Sequence, residues 1–92
     1  MPIRFEWDSS KAQGNLDKHG VTFDESATVL EDSLSITIPD PIHSQGEARF
    51  VTIGVSDRGK TLVVVHTERG ESIRIISARL ASAAERRKYA ES

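Results

Sequence analysis

Two glycines constrain the C-terminal half of this 92-residue chain more tightly than any other feature. Gly59 follows Asp57-Arg58 and Gly70 precedes Glu71, and together they divide three runs rich in strand formers, residues 47–56, 61–69 and 71–78. A two-residue loop with glycine first is the signature of a type II′ turn, so Gly70-Glu71 pairs Arg69 with Ser72 and Thr67 with Arg74. At the other turn a two-residue Arg58-Gly59 loop would require positive φ at an arginine, which is disfavoured. A three-residue loop, Asp57-Arg58-Gly59 with a left-handed Gly59, avoids that strain and pairs Ser56 with Lys60. Short turns between successive strands give an antiparallel meander. Val63 and Val65 alternate with Leu62 and Val64, so both faces of the sheet are expected to be partly covered.

Upstream, the apolar period is helical. After a short strand over residues 3–7, Asp8 has the chemistry of an N-cap for a helix running through Lys18, with Ala12, Leu16 and His19 on one face. Lys18-His19-Gly20 closes it, the basic side chains meeting the negative end of the helix dipole. Thr22 and Glu25 have the spacing of a capping box, opening a second helix with Phe23, Ala27 and Leu30 on its stripe and an end near Asp32. From Leu34 the period changes to two through Ile36 and Ile38, until Pro39. Residues 40–46 form a polar loop. Ser82 and Glu85 form another capping box and open a helix over residues 83–91, carrying Arg86, Arg87 and Lys88. The expected fold is α+β, with two N-terminal helices and a C-terminal helix around an antiparallel sheet of four to five strands, in a single domain over residues 1–92.

Composition narrows the function. The longest aliphatic run, Leu62 to Val65, is far short of the roughly 20 apolar residues that span a membrane. The opening residues lack the apolar stretch of a secretory leader. Zero cysteines exclude disulfides and zinc–thiolate sites, and a cytoplasmic protein is expected. The net charge of −2 hides an asymmetry, because residues 1–46 hold three basic side chains against eight acidic ones and residues 47–92 hold nine against six. A positive C-terminal half can meet phosphate.

Register turns this charge into a site. The preferred hairpins set Arg49 opposite Thr67 and Glu47 opposite Arg69, so one face carries Glu47, Arg49, Thr67, Arg69 and Arg74 at the Gly70 end. Val51, Ile53, Val63, Val65 and Ile76 fill its other end. The rejected register would set Arg49 across from Glu68 and scatter the cluster. The ordinary explanation of such a patch is a lattice of surface ion pairs around Glu47, each worth about 0.2–1 kcal/mol. The functional one is a phosphate site, because one carboxylate cannot neutralise three guanidiniums and their planar donors suit phosphate oxygens. His19 at a helix end and His66 in an apolar strand read as structural residues. His43, in the polar loop beside the cluster, is as well suited to a functional role, as a general acid or base or an RNA contact, as to a structural one. The spacing of the three histidines matches no compact metal motif. Phe5 and Trp7 read as core rather than stacking platforms, and Arg86, Arg87 and Lys88 as a solvated face that could extend a nucleic-acid track.

Phe5-Glu6-Trp7-Asp8 with Lys11 and Asn15, then Lys18-His19-Gly20-Val21 with Phe23, resembles the opening of the BrnT toxins, a ribonuclease family of the RelE-like superfamily. Asp40, His43, Glu47 and Arg49 match the central pattern, and Thr67-Glu68-Arg69 the next. Ile73-Arg74-Ile75-Ile76-Ser77-Ala78-Arg79 with Glu85, Arg86 and Tyr89 matches the C-terminal one. Lys60 stands where the family commonly has arginine, and Ser33 replaces a usual proline. The resemblance implies the RelE-like fold and an endoribonuclease toxin of a type II toxin–antitoxin pair that stops translation. It also implies neutralisation by a BrnA-like antitoxin with a ribbon-helix-helix DNA-binding domain, and two toxins with two antitoxins; the short aliphatic runs lead to the expectation of no membrane association.

By that resemblance the RNA 2′-hydroxyl attacks the adjacent phosphate with no metal and no other cofactor. Arg69, Arg49 and Arg74 would surround the phosphate, with Lys60 or Arg79 as a supporting substrate-binding cation. Glu47 or His43 would be the base, and Thr67 a positioning hydrogen-bond donor. Two other classes fit the chain: a non-catalytic module that only holds a partner and helps it repress DNA, and a protein that binds RNA without cutting it. An unrelated small-molecule enzyme is disfavoured by the lack of a glycine-rich phosphate loop or nucleophile motif.

Overall fold

The computed structural model describes residues 3–42 and 46–91. Its elements follow the order β1 (Arg4–Glu6), α1 (Ser9–His19), α2 (Phe23–Leu30), β2 (Ile36–Pro39), β3 (Arg49–Val55), β4 (Thr61–Arg69), β5 (Ser72–Leu80) and α3 (Ala83–Ala90). Both meander turns form as the glycines require: Gly59 has φ +77° and Gly70 φ +58°, and Ser56 and Lys60 pair through their backbones at 2.8 Å. Arg49 lies opposite Thr67, Thr67 opposite Arg74 and Arg69 opposite Ser72, the expected register.

The sheet order is β1-β5-β4-β3-β2, and its first pair departs from the antiparallel expectation. β1 runs parallel to β5, with Arg4 opposite Ser72 and Glu6 opposite Arg74. β1 and β2 thus occupy opposite edges, and α1 and α2 carry the chain between them across one face. That face holds the core, where Val21, Phe23 and Val29 pack on Leu62, Val64, Ile75 and Ala78. Phe5 and Trp7 pack against it as expected, and Trp7 meets Phe23 edge-on at 6.0 Å.

Three local expectations need correction. In α1 the buried residue is Asn15, while Leu16 is 39% exposed. The Asn15 amide donates to the Val21 and Ala78 carbonyls at 3.0 and 2.9 Å and accepts from the Ala78 N–H at 3.0 Å. It therefore serves β5 as an extra stretch of backbone, a role that outweighs apolar burial at that position. In α2, Thr22 caps the Glu25 N–H as predicted, but the Glu25 carboxylate accepts from the Ser56 hydroxyl at 2.7 Å and joins the helix to the turn after β3. In β5 a bulge shifts the register between Val65 and His66, so Ser77 rather than Ile76 lies opposite Val65. The extra residue reverses the facing of the last part of β5. Ala78 reaches the core opposite Val64, and Arg79 joins the other face opposite Val63.

α3 opens on the expected capping box of Ser82 and Glu85. It lies over the far end of that second face with no buried residue of its own. Polar contacts hold it. Arg79 makes a two-pronged bond to Glu85 at 2.7 and 2.8 Å, Arg86 donates to the Ala81 carbonyl at 3.0 Å, and the Tyr89 hydroxyl donates to Asp32 at 2.7 Å. A groove of about 230 Å³ runs beneath it, lined by Ile36, Ile38, Val51, Ile53 and Val63 with Glu85, Lys88 and Tyr89.

Candidate active site

Strand alternation places every second residue of β3, β4 and β5 on the face away from α1 and α2. At the Gly70 end of that face, Arg49, Thr67, Arg74 and Glu6 form one row across four strands. Glu47 and Arg69 lie one step nearer the turn, within 3.7 Å of each other. The structure therefore brings together Glu47, Arg49, Thr67, Arg69 and Arg74. Glu6, which the sequence reading did not single out, joins them because β1 adds in parallel to β5, a pairing that no local sequence signal announces.

Among the described residues, two ion pairs at the Gly70 end of this face are loose. Arg69 to Glu47 spans 3.7 Å and Arg74 to Glu6 spans 3.8 Å, both beyond hydrogen-bond length, and the Arg69 side chain is 53% exposed. A phosphate that offers direct hydrogen bonds can displace such contacts at small cost, because exposed pairs of this kind contribute only about 0–1 kcal/mol. Arg49 is already engaged within the fold. Thr67 is 1% exposed, and its hydroxyl donates to the Ala48 carbonyl at 2.6 Å. Its proton is directed into the fold, so Thr67 fixes the approach to β3 beneath the arginines and is not placed as a donor to a substrate.

Two expected supporting cations lie elsewhere. Lys60 sits at the opposite turn, a full nine-residue strand from Arg69, roughly 27–30 Å at the usual rise. Arg79 is turned toward α3 by the bulge and locked to Glu85, which it holds down to about 2, well below the ordinary carboxyl value of 4.5. His43 lies outside the described residues. His66 lies on the helix-covered face, with its Nε2 2.7 Å from the Thr52 hydroxyl and its ring stacked on Phe50, a structural residue as read from the sequence. Burial lowers its pKa, an effect partly opposed by Glu68. Among the described residues, no group of three or more histidine or carboxylate side chains is arranged to hold a metal ion, and no helix is long and apolar enough to cross a membrane.

These features define an α+β protein with an arginine-rich sheet face. Residues 7–85 match the family described as ribonuclease toxin, BrnT, of type II toxin–antitoxin system, and the chain belongs to that family. Its structure is similar to the crystal structure of the Brucella abortus ribonuclease toxin BrnT, with a TM-score of 0.69 and 25% sequence identity over 88% of this chain and 99% of that one. No curated protein matches the chain.

Proposed function

We propose that this chain is a metal-independent endoribonuclease that cleaves RNA by 2′-hydroxyl attack and so inhibits translation in the cytoplasm. The observation that supports it best is the grouping of Arg49, Arg74 and Arg69 with Glu47 at one open end of the sheet, where the Arg69–Glu47 and Arg74–Glu6 contacts are loose enough to yield to a phosphate. In this scheme Arg69, the most exposed of the paired arginines, takes the non-bridging oxygens and stabilises the charge that develops on them. Arg74 and Arg49 hold the phosphate in line. Glu47 accepts the 2′-hydroxyl proton, with His43 the other candidate for that role. The 2′-oxygen then bonds to phosphorus, the bond from phosphorus to the 5′-oxygen breaks, and that oxygen leaves after taking a proton from water. The products are a 2′,3′-cyclic phosphate and a 5′-hydroxyl. The type II family assignment supports an antitoxin partner. We take it to be BrnA-like, with a ribbon-helix-helix domain and two copies of each protein in the complex.

The test is incubation of the purified chain with RNA in excess EDTA, with and without the product of the neighbouring gene. Cyclic-phosphate ends are expected, and suppression by the partner. Cleavage that disappears on chelation while the fold persists would sink the metal-independent mechanism. RNA retained on a filter but never cut would make the chain an RNA binder. Arg69→Ala is expected to cleave poorly yet still bind the partner, and undiminished cleavage would remove Arg69 from the site.

A further inference from the structure

Arg4 is a cation at the Gly70 end of the arginine-rich face that the cleavage scheme leaves unused. Its position follows from the parallel pairing of β1 with β5, which sets Arg4 opposite Ser72 and Glu6 opposite Arg74. The contact of Glu6 with Arg74 and the packing of Phe5 against the core place the side chains of residues 4 and 6 on the face of Arg69 and Arg74. Arg4 is exposed and, among the described residues, its side chain makes no ion pair or hydrogen bond. Arg69 and Arg74 are each partly offset by a carboxylate, whereas Arg4 is not. Two strand spacings, about 10 Å, separate its Cα from that of Arg69, and the diagonal to Arg74 is roughly 7–8 Å. Only the small Ser72 side chain stands between Arg4 and Arg69 along that line.

We propose that Arg4 holds the phosphate next to the scissile one, so that the RNA strand crosses the sheet from Arg69 toward the β1 edge. This rests on the ribonuclease reading of the face and extends it from a single linkage to a directed track. The spacing suits the purpose, because two long guanidinium side chains about 10 Å apart at their bases can grip neighbouring phosphates of an extended strand. A competing role for a charged residue on an edge strand is to block pairing with a second sheet.

The experiment uses the full chain and two substrates, a dinucleoside monophosphate, which carries only the scissile phosphate, and a hexanucleotide. For Arg4→Ala the ratio of kcat/KM between the hexanucleotide and the dinucleotide is expected to fall about tenfold, as for one charge-assisted contact. The slope of log binding constant against log salt for the hexanucleotide should become shallower by about 0.7. Arg4→Lys, which keeps the charge, is expected to restore the slope. An unchanged ratio, an unchanged slope, or sedimentation showing that Arg4→Ala merely self-associates would overturn the proposal. A wild-type chain that cuts neither substrate would instead sink the ribonuclease reading.

Discussion

On the helix-covered face, Thr37, Thr52 and His66 connect strand to strand through side-chain bonds of 2.6 and 2.7 Å. On the opposite face Arg49, Thr67, Arg74 and Glu6 cross the same sheet, and at this Gly70 end the contacts of Arg69 with Glu47 and Arg74 with Glu6 are 3.7 and 3.8 Å long. His66 and Thr67 are neighbours in sequence and both are buried, yet one belongs to the core and the other supports an open charged surface. The difference shows how a chain this short separates stability from chemistry. The face closed by α1 and α2 bonds Thr37, Thr52 and the His66 Nε2 internally and at short range, and, among the described residues, leaves the buried His66 Nδ1 without a hydrogen-bond partner. At its Gly70 end the other keeps the ion contacts of Arg69 and Arg74 long. Substitutions that respect this division should change one property and spare the other.

The largest expected effect is kinetic. Replacing Arg69 and Arg74 together with alanine should lower cleavage about 10²–10³-fold, the scale of losing preorganised donors at a developing oxyanion. Unfolding free energy should move by only about 1 kcal/mol, because Arg69 is exposed and Arg74 is half-buried in a loose ion pair. Urea denaturation beside a cleavage time course checks both. A large stability loss with unchanged cleavage would mean that the arginines are an ion-pair lattice and nothing more.

Asn15→Ala is the converse on the covered face. It removes three hydrogen bonds and leaves both backbone groups of Ala78 buried without that partner, at a cost of about 2–4 kcal/mol. Cleavage per folded molecule should be unchanged. A variant that unfolds at the wild-type urea concentration would show that Asn15 is not the staple its geometry describes.

The asymmetry between the faces was only partly legible in the sequence. Turn chemistry at Gly59 and Gly70 acts over three or four residues, so the meander register and the meeting of Arg49, Thr67 and Arg74 could be read directly. The caps at Asp8, Thr22 and Ser82 were legible for the same reason. Long-range pairing was not. Nothing near Arg4 or Glu6 says that β1 joins β5 in parallel, and that pairing is what places Glu6 beside Arg74. The bulge was equally silent in the sequence, and it brings Arg79 onto the same face as the arginine row but at the α3 end, opposite Val63. Asn15 misled for a physical reason, because a periodicity argument looks for apolar residues at inward positions and this one is filled by an amide.

A third, smaller effect separates the faces by pH. Burial lowers the pKa of His66 below its ordinary 6.5, so the folded state favours the neutral ring. The unfolded chain takes up the proton more readily, and stability should be highest above pH 6.5 and decline as the pH falls below it. His66→Gln, which can still bond Thr52 but does not titrate, should flatten that dependence between about pH 7.5 and 5.5. Thermal melts across the range measure it. An equally steep dependence in the variant would assign the effect to other groups.

The smallest expected effect concerns α3, the one element over the open face that is held by charge. Arg79 and the Ser82 N–H hold Glu85 down to about 2 from the ordinary 4.5. Its folded value is depressed, so its contribution is present above pH 4.5 and is lost as the pH falls toward about 2. The Glu85 side chain is 34% exposed, and water screens the pair, so the contribution is roughly 0.5–1 kcal/mol rather than the full shift. Glu85→Gln should remove it at neutral pH and weaken the acid-induced change. Because α3 buries no residue, its loosening should appear first as faster amide exchange in residues 83–90 and easier access to the groove over Ile36 and Val63, with the main core intact. If Glu85→Gln instead lowered global stability as much as Asn15→Ala, α3 would belong to the cooperative core, and the contrast between a closed and an open face would be replaced by one between a closed face and a half-closed one.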